Sequence, residues 1–227
     1  MTTERAANMP VVGERRIDDP PGAAGGLPLP IARLASAYDA VLFDFDGTLV
    51  DTMGLHYQAY RAVLAELGFA LSRADFDAAV GGKASETIPK LLKGRPATVP
   101  IGEIHRRKKA RLAQLLATAP VAILDTARLL PLLHGRLRLA LASSGSREGI
   151  EILLARFDWA RWFEVLVTGE DVAAGKPAPD LFLLAARRLG VPARRCFVFE
   201  DSDAGIAAAR AAGMGSFDVR ADTVDSR

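Results

Sequence analysis

Ala40-Val41-Leu42-Phe43-Asp44-Phe45-Asp46-Gly47-Thr48-Leu49-Val50-Asp51 decides how this chain is read. Its first four residues are apolar and predict a short strand buried on both faces. Two aspartates one residue apart end that strand, and Gly47 lets the backbone turn tightly away. An ionised carboxylate at the end of a buried strand is costly unless it is paired or bound to a metal. Two of them repel each other, so a cation is expected beside them. Asp-x-Asp-Gly is also common turn chemistry, so the stretch needs partners elsewhere in the chain.

The bulk properties leave room for an enzyme and set several classes aside. At 227 residues, 50% of them apolar, the chain can bury a sizeable core, in one large domain or in one domain with an insertion. A net charge of +2 points to neither nucleic acid nor a membrane surface. No apolar run approaches the roughly 20 residues that span a bilayer. The N-terminus lacks the basic start and apolar centre of a signal peptide, and Arg15-Arg16 is followed by Ile-Asp-Asp-Pro-Pro. A cytoplasmic protein is expected. Cys196, the single cysteine, lies in the apolar run Cys196-Phe197-Val198-Phe199 and reads as a buried structural thiol.

Residues 1–36 carry Pro, Gly and scattered charge without an apolar period and predict a disordered extension. After the first strand comes an all-helical stretch. Leu55, Ala59, Val63 and Leu67 recur at helical spacing, and Gly68 stops the run. Ser72 with Asp75 reads as an N-cap pair. Gly81-Gly82-Lys83-Ala84 is a loop before a helix from Ser85, and a charged helix covers about 101–117. Within it, Arg106-Arg107-Lys108-Lys109 reads as a solvated basic face. From Asp125 strands and helices alternate: strands at 137–142, 163–168, 195–200 and 216–219, helices at about 125–134, 146–157, 177–189 and 202–212. That alternation predicts a parallel sheet with helices on both faces. The fold class is therefore α/β, a Rossmann-like parallel-sheet core with an inserted all-helical cap domain. The boundaries are 37–52 and 123–227 for the core and 53–122 for the cap.

Ligands of open parallel sheets sit at the carboxyl ends of the strands. Strand two ends in Ser143-Ser144-Gly145-Ser146, hydroxyls and amides before a helix N-terminus, which suits a phosphate. After strand three, Lys176 precedes Pro177 and is expected to be held extended at the start of a helix. A lysine so placed near two aspartates can neutralise phosphate and nucleophile charge. Strand four ends in Glu200-Asp201-Ser202-Asp203, a second acidic pair. Two acidic strand ends side by side make a hard-oxygen site suited to Mg²⁺.

Asp44-Phe45-Asp46-Gly47-Thr48, Ser143, Lys176 and Glu200-Asp201, in that order and at strand ends, resemble the four signatures of the haloacid dehalogenase superfamily of phosphotransferases. Gly-Lys-Pro-Ala-Pro-Asp at 175–180 and Phe-Glu-Asp-Ser-Asp-Ala-Gly-Ile at 199–206 resemble the subgroup of β-phosphoglucomutase and small sugar-phosphate phosphatases, as does the helical insert. The resemblance implies that Asp44 is the nucleophile, forming an aspartyl-phosphate, and Asp46 the acid and base. It implies that Ser143 holds phosphoryl oxygens with the amides of Ser144 and Gly145, and that Lys176 balances charge. Mg²⁺ would be held by Asp44, the Asp46 carbonyl, Asp201 and Glu200, the last directly or through water, while Thr48 braces the turn. The loop at 81–85 would select substrate, with Gly82 and Lys83 beside the leaving group and His56 facing Asp46.

The expected function is a Mg²⁺-dependent phosphatase of a small phosphorylated metabolite, a sugar or sugar-acid phosphate, acting as a monomer. The alternative is a β-phosphoglucomutase-like phosphosugar mutase, disfavoured by the lack of an arginine at the cap loop. A dehalogenase would not need the second aspartate or the Glu200-Asp201 pair. A binding module would not need a nucleophile.

Overall fold

The computed structural model describes residues 31–80, 84–220 and 223–225. α1 (Ile31–Ala37) leads into β1 (Ala40–Phe43), and a tight turn reaches β2 (Val50–Asp51). Four helices follow: α2 (Met53–Glu66), α3 (Arg73–Ala79), α4 (Ala84–Leu91) and α5 (Ile101–Thr118). β3 (Ala122–Ile123) then runs back antiparallel to β2. α6 (Leu129–Leu133), β4 (Arg138–Ser143), α7 (Arg147–Arg156) and β5 (Val165–Thr168) come next. α8 (Asp180–Leu189), β6 (Cys196–Glu200), α9 (Asp203–Ala211), β7 (Gly215–Asp218) and β8 (Thr223–Asp225) complete the chain.

The main sheet has the order β5-β4-β1-β6-β7-β8. Its first five strands are parallel, and β8 adds an antiparallel edge. The five parallel strands are the five expected from the apolar runs. β2, β3 and β8 are two or three residues long, too short to show a period of two.

Alternation along the central strands sorts side chains into two layers. Val41 and Phe43, Leu139 and Leu141, and Phe197 and Phe199 enter one core with α6 and α7. Ala40 and Leu42, Ala140 and Ala142, and Cys196 and Val198 enter the other, against α8 and α9. The small alanines let those two helices approach the sheet closely. Cys196 is fully buried, and burial raises its thiol to about 11, as a structural residue requires.

The helices α2–α5 carry a core of their own around Leu64, Phe76, Ile88 and Ile104. Both chain crossings to this block run through the β2–β3 pair, with Leu124 N–H bonded to the Leu49 carbonyl at 3.0 Å. The block is also anchored along α5. The stripe Ile104, Lys108, Leu112 and Leu116 starts in the insert's core and ends, at Leu112 and Leu116, in the α6–α7 core. Arg156 on α7 donates to the carbonyls of Leu116 and Ala119 at 3.2 and 2.6 Å, closing the last turn of α5.

Three local expectations are corrected. Residues 31–36, read as the end of the extension, belong to helix α1, because Leu34 packs into the core and is 3% exposed; residues 1–30 lie outside the described residues. The segment 125–133 begins as a 3₁₀ turn over Asp125–Arg128 without a side-chain cap before α6. The helix expected from Pro177 starts at Asp180, and the Lys176-Pro177 peptide is cis.

Backbone at the start of α9 packs directly on the end of β6. A Cβ on Gly205 would lie 2.0 Å from the Glu200 carboxyl carbon, whereas one on Gly54 in α2 would meet nothing within 4 Å. Gly205→Ala should therefore cost about 1–3 kcal/mol by overpacking. Gly54→Ala should stabilise by about 0.5–1 kcal/mol through helix propensity. Urea unfolding of the two variants checks this contrast.

Candidate active site

The ends of β1, β4 and β6 converge with the loop after β5 on one cleft of about 590 Å³. Asp44 extends β1 by one residue, its N–H bonded to the Phe199 carbonyl at 3.0 Å. By strand alternation Asp44 and Glu200 fall on the α8 side, where the loop carrying Lys176 crosses. Lys176 Nζ donates to Asp44 Oδ1 at 2.5 Å and to Glu200 Oε2 at 2.6 Å, and lies 5.0 Å from the Phe182 ring centre. The other oxygen of Glu200 accepts from the Ser202 hydroxyl at 2.6 Å and the Ser202 N–H at 3.2 Å.

Asp44, Glu200 and Asp201 form a cluster whose ligand atoms lie within 4.8 Å of one another. Burial and the neighbouring Glu200 push the Asp44 carboxyl well up, with Lys176 opposing. Burial and Glu200 also raise Asp201, to about 6. Despite the cost of its own burial, Lys176 is held protonated by Asp44 and Glu200. Gly47, at φ +92°, lets Asp201 come in beneath the turn, since a Cβ there would stand 2.0 Å from Asp201 Oδ2. Thr48 Oγ1 reaches Asp201 Oδ1 at 3.4 Å from the same turn. A compact set of hard oxygens with excess negative charge, cradled by a glycine, fits a divalent cation such as Mg²⁺.

Asp46 faces different neighbours. The Gly47 turn, closed by Gly47 N–H to the Val50 carbonyl at 2.7 Å, directs its carboxylate away from Lys176 and toward the helical insert. The Thr52 hydroxyl donates to Asp46 Oδ1, and His56 Nε2 stands 3.7 Å from the same oxygen. Lys108 Nζ lies 3.3 Å from His56 Nδ1 and 4.9 Å from the centre of the Tyr60 ring. An ammonium only donates, so Nδ1 accepts and the His56 proton sits on Nε2, toward Asp46. Burial and Lys108 lower His56 to about 4, with Asp46 opposing. Burial lowers Lys108 to about 8, against the pull of Asp46.

Ser143 Oγ, 1% exposed, accepts from Gly145 N–H at 3.1 Å, which leaves its O–H to donate into the cleft. The Gly145 amide is thus turned back on Ser143, while Ser144 is exposed at the cleft wall. Asp44, Asp46, Ser143, Ser144, Gly145, Lys176, Glu200, Asp201 and His56 all line the cleft. Gly82 and Lys83 lie outside the described residues.

The basic run was misread at one position. Arg106 and Arg107 pair with Glu103 on the outer face, as a solvated run should. Lys108 instead is 7% exposed and points into the cleft. Its signal was its phase: it falls four residues after Ile104 and four before Leu112, on the buried stripe. Thr52 was also missed; six residues after Asp46, it sits just before α2 and makes no side-chain cap bond there.

A family model described as haloacid dehalogenase-like hydrolase matches residues 38–213. The chain is 35% identical over 185 residues to fructose-1-phosphate phosphatase YqaB of Escherichia coli, covering 81% of this chain and 97% of the relative. It is 34% identical over 181 residues to the phosphorylated carbohydrates phosphatase of Thermotoga maritima, covering 78% and 82%. Among solved structures, CbbY of Rhodobacter sphaeroides in complex with phosphate superimposes with a TM-score of 0.73 at 34% identity, covering 79% and 84%.

Lys176→Met removes the cation between two buried carboxylates. At pH 7 this should cost about 3–5 kcal/mol of stability. With the lysine gone the Asp44 carboxyl, already raised by burial and Glu200, loses the group that opposes that rise, so the folded variant binds protons more tightly than the unfolded chain. The loss should therefore shrink as pH falls from 7 to 5. Urea unfolding at the two pH values measures both effects.

Proposed function

The chain belongs to the haloacid dehalogenase-like hydrolases, and we propose that it is a Mg²⁺-dependent phosphatase of a small sugar or sugar-acid phosphate working through an aspartyl-phosphate. The observation that carries this reading is the joint presence, in one cleft, of Asp44 bound to Lys176 and of Asp46 held on the opposite side by Thr52. A nucleophile and a separate proton carrier are what a two-step phosphoryl transfer needs. That the E. coli and T. maritima relatives are named as phosphatases of phosphorylated sugars supports the substrate class.

In this reading Asp44 attacks phosphorus in line with the leaving oxygen. Lys176 balances the charge that gathers on Asp44 and the phosphoryl oxygens, and Ser143 donates its O–H to one of them. Asp46, held by Thr52 and faced by His56 and Lys108, gives its proton to the leaving alcohol. It then takes one from the water that releases phosphate from Asp44. Asp44, Asp201 and the Asp46 carbonyl would hold Mg²⁺, which would supply the remaining positive charge. Glu200, whose two oxygens accept from Lys176 and Ser202, would help to hold the ion beside Asp44 and Asp201.

Residues 53–122 serve as the cap and 37–52 with 123–227 as the core, the β2–β3 pair being the hinge. The protein acts as a cytoplasmic monomer; among the described residues no helix is long and apolar enough to cross a membrane. Among the described residues lining the cleft there is no arginine to grip a distal phosphate, which favours hydrolysis over the mutase reaction.

Phosphate release from a panel of hexose, pentose and sugar-acid phosphates should require Mg²⁺ and fall at least about 10³-fold in Asp44→Asn. Isomerisation of β-glucose 1-phosphate without net phosphate release would replace the phosphatase with the mutase. The pH–rate profile gives a second check. With Lys108 at about 8, its charge beside Asp46 is lost as pH rises through that value, and activity should decline there. Lys108→Arg, whose guanidinium stays charged, should keep its rate to higher pH.

A further inference from the structure

We propose that Glu170 is a positioning residue: through its ion pair with Lys109 it holds α5 over the strand ends, so that Lys108, the preceding residue of that helix, stands beside His56 and Asp46. This deepens, and rests on, the phosphatase reading.

Lys109 lies on α5, in the insert, and Glu170 on the loop after β5, in the core; both line the cleft. Lys109 Nζ donates to Glu170 Oε1 at 2.7 Å, which ties the two bodies together directly. A second ion pair between insert and core, His56 with Asp46, sits at the start of α2, just after β2. Successive residues of a helix stand about 100° apart around its axis. Lys108, 7% exposed, therefore points inward to His56 while Lys109 leaves the helix toward Glu170. Pinning Lys109 fixes the rotation of α5 that aims Lys108.

A surface ion pair contributes little when both side chains must be ordered to form it. Here the core partner stands on a backbone that is already fixed on both sides. The Glu170 N–H donates to Thr168 Oγ1 at 3.3 Å, and the Asp171 N–H to the Thr168 carbonyl at 3.0 Å. The Asp171 carboxylate accepts from the Thr168 N–H and hydroxyl at 2.8 and 2.9 Å, from Arg147 on α7 at 2.7 Å and from Arg188 on α8 at 3.0 Å. Gly169 packs on the loop after β4, since a Cβ there would stand 2.8 Å from the Ser144 carbonyl oxygen. The Lys109 side chain is itself only 28% exposed. Such a pair shifts an equilibrium severalfold, too little to alter the fold and enough to change how often the insert stands closed.

The test uses the full chain with Mg²⁺ and fructose 1-phosphate, or whichever ester of the hexose, pentose and sugar-acid panel is turned over fastest. The variants are Glu170→Gln, Lys109→Met, the two together, and the exchange of Glu170→Lys with Lys109→Glu. Each single variant should lower kcat/KM about threefold while its urea midpoint stays that of the wild type. The double neutral variant should fall no further than either single one, and the exchange should recover most of the loss. Raising salt from about 0.05 M to about 0.5 M should bring the ratio of wild type to Glu170→Gln toward one. A merely structural pair would show none of these three signs. Unchanged kcat/KM in the single variants, losses that multiply in the double one, no recovery on exchange, or stability lost in step with activity overturns the proposal and leaves the phosphatase reading intact. A wild type that releases phosphate from no ester of the panel overturns the phosphatase reading, and the proposal with it.

Discussion

One buried ammonium group organises this site. Lys176 Nζ lies between Asp44 and Glu200, and the residue itself is only 9% exposed. Burying three ionised groups together is favourable only when their geometry is good and their remaining valences are satisfied. Both conditions hold: each lysine contact is a short charge-assisted bond, and Ser202 takes the far oxygen of Glu200. The balance is still incomplete. Asp201 adds a third carboxylate, and its own carboxyl and that of Asp44 are both raised. One lysine against three acids leaves two negative charges over, the charge that one divalent cation cancels. That excess negative charge fits a divalent cation.

The sheet order makes this arrangement possible. β1 sits between β4 and β6, so Asp44 has Ser143 on one side and Glu200 on the other without any long loop reaching in. Parallel strands put all three ends at one edge, and the two-residue period decides which layer each side chain enters. Asp44 follows Ala40 and Leu42, and Glu200 follows Cys196 and Val198, all toward α8. Ser143 follows Leu139 and Leu141, toward α7. The cluster of Asp44, Lys176 and Glu200 and the Ser143 hydroxyl therefore occupy different faces of the same strand ends and line one cleft.

What the sequence shows and hides follows from the range of the forces involved. The core strands were legible because buried parallel strands are continuous apolar runs, and the acidic ends were legible because acids do not otherwise terminate such runs. The cap at Ser72 was legible because it is a local hydrogen bond. Lys108 was not, since a lysine in a basic run looks solvated until its helical phase is set against Ile104, Leu112 and Leu116. Its partner His56 comes from 52 residues earlier, a distance no local pattern spans. α1 was hidden for a similar reason: it is held by Leu34 against the tertiary core, not by a periodic pattern of its own.

The two aspartates of Asp-x-Asp are two residues apart, yet the fold gives them unrelated surroundings. All the charged neighbours of Asp44 come from the sheet core: Lys176, Glu200 and Asp201. The neighbours of Asp46 come from the far side of the turn: Thr52 before α2, His56 within it and Lys108 on α5. Gly47 separates the two environments by turning the chain between them. The surroundings of Asp44, the proposed nucleophile, are thus complete within the core, whereas those of Asp46, the proposed acid and base, are complete only when the helical insert stands over them. A hinge motion at the β2–β3 pair would leave Asp44 and Lys176 undisturbed and take His56 and Lys108 away from Asp46. In the proposed reaction, proton transfer to the leaving group would then be tied to closure of the insert over substrate, which would keep bulk water from the proposed aspartyl-phosphate until Asp46 has its partners.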